Sequence, residues 1–228
     1  MTTAQSGPVT GPEGTGDGPL TPSAPVDRHR RATWAVWLLI FGDAVFVVLE
    51  VFSWLYLRAL NTHGLWRGAA CSRTHPCVDG QGHPILGEVP TASPTKTVAV
   101  ALLVVVGAAL LWAAERAARE DRPRRAVTLT AGLSLGAVLL ACLVQVDQFR
   151  GLPFTRIQGS YASSFFFVMA SDLFHLALAA FVCLGVWMGS RRGHYADGDA
   201  GEVRLARLAV TWIAASVCIL AAVTIVFT

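Results

Sequence analysis

The chain has 228 residues, 54% of them hydrophobic and only 14% charged, with a formal net charge of +3 and a mean hydropathy of +0.52. That composition excludes a soluble globular domain, and the small positive charge gives a nucleic-acid partner no independent support. A membrane span needs about 20 mainly apolar residues, and five stretches qualify, at approximately 34 to 57, 97 to 118, 126 to 146, 163 to 188 and 205 to 227. The expected fold class is therefore all-α, an integral membrane bundle of five transmembrane helices.

Residues 1–30 are rich in Gly, Pro, Thr and Ser and poor in large apolar side chains, which predicts a disordered tail ahead of a membrane domain over 31–228. A secretory signal would need a basic start and an apolar core, and neither is present. Span one carries two carboxylates, Asp43 and Glu50. Seven residues make almost two helical turns, so both lie on one face, which is expected to turn toward protein. That face is either proton-exchanging or ion-pairing, or it is structural, a protonated carboxyl hydrogen-bonded to a neighbouring helix.

The segment 61–96 follows, with Cys71, Cys77, His63, His75 and His83. Cys71 and Cys77 are spaced to close a small disulfide ring; zinc or copper bound by thiolate and imidazole is the alternative. Orientation follows from Lys and Arg, twelve of which lie on the side of the N-terminus and six on the other. The positive-inside rule then puts the N-terminus in the cytoplasm and the C-terminus outside, with the 61–96 loop exposed to the more oxidising side.

Span three ends in Gln145, Asp147, Gln148 and Arg150. Polar side chains at a helix end are expected to sit in the interface, capping carbonyls or meeting headgroups. Span four holds Asp172 and His175 near its middle, three positions apart on the same side of a helix. An unpaired charge there costs roughly 2.5 to 3.5 kcal/mol on insertion scales, so the pair is expected to serve a site or a joint. Cys142, Cys183 and Cys218 read as small lipid- or helix-facing residues. Span five has small residues, among them Ala209, Ala214, Ala215 and Ala221, that allow close helix approach.

No phosphate-binding loop, dinucleotide fingerprint or nucleophile elbow is present, and His175 is the only histidine inside a span. A haem or copper centre built by this chain alone would lack ligands. That points to a subunit supporting chemistry performed elsewhere.

The run QVDQFRGLPFTRIQGSYASSFFFVMASDLFHL resembles subunit III of haem-copper terminal oxidases. In that family a helix ending in Gln-x-x-Glu-Tyr precedes Tyr-Gly-Ser-Ser/Thr-Phe-Phe and then two histidines three residues apart. Gln145 opens the match, with Gln148 and Phe149 in the Glu-Tyr positions; it continues through Tyr161, Ser163, Ser164, Phe165 and Phe166 to His175 in the second His position. Asp172 takes the first. WLLIFGDAVF also looks like the family's first bacterial helix, which places Asp43 on its membrane carboxylate.

The resemblance implies a non-catalytic subunit in a bacterial plasma membrane. It would sit beside a catalytic subunit that carries haem and copper, together with other oxidase subunits and membrane lipids, and would bind no cofactor itself. Its family role is to stabilise the complex, hold lipids and support proton uptake. Asp43 would be a buried carboxyl near a subunit interface or lipid cleft, and Asp172 with His175 would clamp another helix. The subunit III-like protein of nitric oxide reductase clusters is a related reading. A proton-coupled carrier using Asp43, Glu50, Asp172 and His175, or a metalloenzyme using the outer-loop Cys and His residues with Asp172 and His175, are the readings from other classes.

Overall fold

The computed structural model describes residues 25–60, 66–67, 89–120, 123–157, 159–195 and 200–227, with side chains from residue 30 onward. It has five helices: α1 (Pro25–Leu60), α2 (Pro94–Arg119), α3 (Arg124–Arg150), α4 (Ser160–Arg192) and α5 (Gly201–Val226). Among the described residues there is no strand. All five helices are long and apolar enough to cross a membrane, so the chain is a multi-pass membrane protein. Each helix outruns the apolar stretch read from the sequence by a few residues. α1 already begins at Pro25, inside the stretch expected to be tail, whereas 1–24 lie outside the described residues.

Local chemistry sets the helix ends. α2 starts with Pro94 in its first turn, where the missing N–H costs no hydrogen bond. α4 stops at Gly193, whose φ of 84° is left-handed. Gly193 N–H donates to the Ser190 carbonyl at 3.1 Å and His194 N–H to that of Gly189 at 3.2 Å, the paired closure of a Schellman motif.

Helices α2 to α5 close into a ring in which α2 packs on α3 and α5, and α4 packs on α3 and α5. Terminal contacts fix the alternation. Lys96 near the start of α2 meets Asp147 near the end of α3 at 2.6 Å. Arg124 Nε at the start of α3 donates to the Ser190 carbonyl near the end of α4 at 2.9 Å. Arg207 near the start of α5 lies 2.5 Å from Glu115 near the end of α2. The bundle therefore has a Lys96 end and an Arg207 end.

The core of the ring is aliphatic and tightly drawn. Val104, Leu111, Val138, Leu176, Cys183 and Val210 are all fully buried. Ser134 Oγ donates to the Gly107 carbonyl at 2.7 Å, which brings α2 and α3 almost backbone to backbone. A β-carbon at Gly107 would sit 2.8 Å from Val138 Cγ2.

α1 lies outside this ring, against α4 and α5. It buries one stripe, Val47, Glu50 and Trp54, continued by the partly covered Asp43, while Phe41, Val48 and Phe52 face outward. The carboxylates thus face protein. Toward the Lys96 end the stripe finishes in an aromatic cluster in which Trp54, Trp66 and Tyr161 meet edge to face at centroid separations of 5.3 to 5.9 Å.

Candidate functional site

The polar residues of α1, α4 and α5 meet inside the membrane domain. His175 Nε2 lies 2.9 Å from Asp43 Oδ1 and 3.1 Å from Oδ2. Trp212 Nε1 of α5 donates to Asp43 Oδ2 at 2.6 Å. On the other side of the ring, His175 Nδ1 donates to the Ser171 carbonyl at 2.9 Å. Each nitrogen of the imidazole therefore faces an acceptor. Asp43 thus accepts from both His175 and Trp212, and the arrangement joins three helices.

Burial is uneven across this pair: the His175 side chain is 2% exposed and that of Asp43 26%. The exposed edge of Asp43 opens onto an otherwise apolar cleft of about 630 Å³ between α1, α4 and α5, walled by Leu38, Phe46, Phe174, Leu178 and Trp212. Apolar walls with one charged pair at the base suit an acyl chain.

The expectation that Asp172 and His175 form one clamp is corrected. Three residues along a helix is a rotation of about 60° short of a full turn, enough to aim the two at different neighbours. His175 looks to α1 and α5. Asp172, also buried, borders a separate cavity between α2, α3, α4 and α5, and its Oδ1 has no hydrogen-bond partner. Glu50 is buried as well, with neither carboxylate oxygen hydrogen-bonded. Its carboxyl faces the Ser171 hydroxyl and lies within electrostatic range of His175, Asp43 and Asp172.

The end of α3 also differs from expectation. Asp147 and Arg150 are exposed, as an interface position requires, but Gln145 and Gln148 are turned into the bundle and buried. Gln148 Nε2 donates to Thr97 Oγ1 at 2.9 Å and to the Ser93 carbonyl at 3.3 Å. The other motif positions pack nearby. Tyr161 accepts from the Ala92 N–H at 3.2 Å, Phe165 is buried against Phe154, and the Ser164 hydroxyl is buried without a partner.

Cys71 and Cys77, with His63, His75 and His83, lie outside the described residues, so neither the disulfide nor the metal reading bears on the geometry above. Among the described residues no three His, Cys, Asp or Glu side chains gather as a metal would need. Cys183 is a free thiol in the core, 3.4 Å from Ser134 Oγ.

Reading the sequence missed Trp212, Ser171, Thr97 and Thr224. Trp212 left a signal: membrane Trp favours the two interfaces, and this one stands well inside span five. Near the Arg207 end a third buried carboxylate, Glu115, is held between Arg119 and Arg207, with Arg207 also 4.8 Å over the Trp112 ring. That cluster ties α2 to α5. No family model matches the chain, and no curated protein matches it in sequence.

Proposed function

We propose that the chain is a non-catalytic, subunit III-like component of a bacterial haem-copper respiratory oxidase. In this reading it lies in the plasma membrane with its N-terminus in the cytoplasm and its C-terminus outside. The haem and copper belong to a neighbouring catalytic subunit, and this chain supports assembly, lipid binding and proton uptake. One observation carries the reading. The resemblance rests on two separate stretches of sequence, and their marked residues, Asp43 in the first and His175 in the second, meet at 2.9 Å although 132 positions apart. That contact supports reading the two stretches as parts of one arrangement.

The cleft at Asp43 supports the lipid part of the proposal, since a chain lying there would bridge the outer helix and the ring. The charged pair offsets the burial cost that either group alone would incur. The test is purification of the tagged full-length chain from its native membrane in mild detergent. Haem and copper spectra, with a larger co-purifying subunit that reduces oxygen, are the expected result. A partner that reduces nitric oxide and lacks copper would move the chain to the nitric oxide reductase reading, and isolation of the chain alone would sink both.

A further inference from the structure

The cavity beside Asp172 is separate from the Asp43 site and does not depend on the oxidase reading. It is closed in by α2, α3, α4 and α5, with Asp172, Gln148, Gln145, Thr97 and Thr224 providing its polar wall. Its volume is about 10 Å³, close to the minimum of about 10–15 Å³ that one water-sized body requires. Two buried acceptors without partners belong to this wall, Asp172 Oδ1 and Gln148 Oε1. The orientation of Gln148 is fixed. Its amide nitrogen is committed to Thr97 and Ser93, which leaves the oxygen facing away from α2.

With Asp172 as a carboxylate, both groups are acceptors and cannot satisfy each other. What lies between them must donate hydrogen bonds or carry positive charge. Among the described residues no Lys, Arg or His pairs with Asp172: His175 is committed to Asp43, and Lys96 to Asp147 at the surface. The other titratable groups within electrostatic range of Asp172 are Glu50 from α1 and Cys218 from α5, neither of which supplies a cation. α2 and α3 contribute the neutral Thr97, Gln145 and Gln148.

A second cavity adjoins this one. A vestibule of about 230 Å³ at the Lys96 end is lined by Thr91, Pro94 and Tyr161 and shares Thr97, Phe165 and Thr224 with the inner cavity. We propose that the inner cavity binds one dehydrated Na⁺, held by Asp172 Oδ1 and Gln148 Oε1 within an all-oxygen cage completed by Thr97, Gln145 and Thr224, and loaded through this vestibule. Carboxylate, amide and hydroxyl oxygens are hard donors that suit hard cations. A divalent ion would leave net positive charge in a low-dielectric interior. Na⁺, smaller than a water molecule, suits so small a cavity better than the water-sized K⁺.

The full-length protein in lipid nanodiscs tests this through its unfolding temperature in NaCl, KCl or choline chloride at constant total salt. Na⁺ should raise that temperature saturably, while K⁺ and choline should not. Asp172→Asn, which keeps the shape and removes the charge, should abolish the Na⁺ response. Thr224→Val should weaken apparent Na⁺ affinity by at least about tenfold, and it carries the test if the Asn variant does not fold. Equal responses to the three salts, or an unchanged Na⁺ response in Asp172→Asn or Thr224→Val, would overturn the site. A response to pH alone, the same in every salt, would also overturn it and identify the occupant as a proton with a water.

Discussion

The contact between Asp43 and His175 makes a quantitative demand on stability. Replacing Asp43 with Leu removes the acceptor for two donors, His175 Nε2 and Trp212 Nε1. Hydrogen bonds between membrane helices average about 0.6 kcal/mol and reach about 1.7, so losing two costs roughly 1–3 kcal/mol. His175→Leu removes one of the same two bonds and its own bond to the Ser171 carbonyl. The double variant therefore counts the shared bond only once, and should be less destabilised than the summed single variants by about 1 kcal/mol. Equilibrium unfolding in mixed micelles, followed by tryptophan fluorescence, measures all four corners of the cycle. Additivity within about 0.5 kcal/mol would refute the contact. The parallel cycle of Asp172→Leu with His175→Leu serves as a control and should be close to additive, since no hydrogen bond joins those residues.

Two further substitutions probe the packing by the same unfolding assay. Gly107→Ala should cost about 1–3 kcal/mol through overpacking, because its new methyl falls 2.8 Å from Val138 Cγ2; Val138→Ala in the same chain should recover part of that loss, and no recovery would place the strain elsewhere. Glu115→Ala should destabilise by about 3–5 kcal/mol by stranding Arg207, which is only 17% exposed, whereas Lys96→Ala, which breaks an ion pair in solvent at Asp147, should leave stability unchanged. Equal effects of these last two would mean that burial does not separate the two pairs.

Hydropathy and length made the five helices legible, because a span has to be apolar over a fixed distance whatever its neighbours are. The face of α1 was legible too, since the spacing of Asp43 and Glu50 depends only on helical pitch. Partners were not. Spacing put Asp172 and His175 on one side of α4, but a side of a helix is wide enough to touch three others, and packing chose α1 for one and the α2–α3 wall for the other. Gln148 shows the same limit at a helix end. Its position matches an interfacial residue, and its burial follows from Ser93 and Thr97, which approach it from 55 and 51 positions away. Those contacts depend on how α2 and α3 are rotated, which periodicity in either helix leaves open.

The placement of α1 outside the ring has a consequence for how the protein is made. Asp43 precedes His175 by 132 residues and Trp212 by 169. At synthesis rates of about 5–20 residues per second, roughly 7 to 26 seconds separate the appearance of Asp43 from that of His175, and Trp212 comes later still. The first helix thus enters the bilayer carrying two carboxyl groups whose neighbours do not yet exist. It has to wait there, uncharged or escorted, until the last helix arrives. The Asp43–His175–Trp212 joint therefore cannot close until α5 has been made, even though it begins on the first helix.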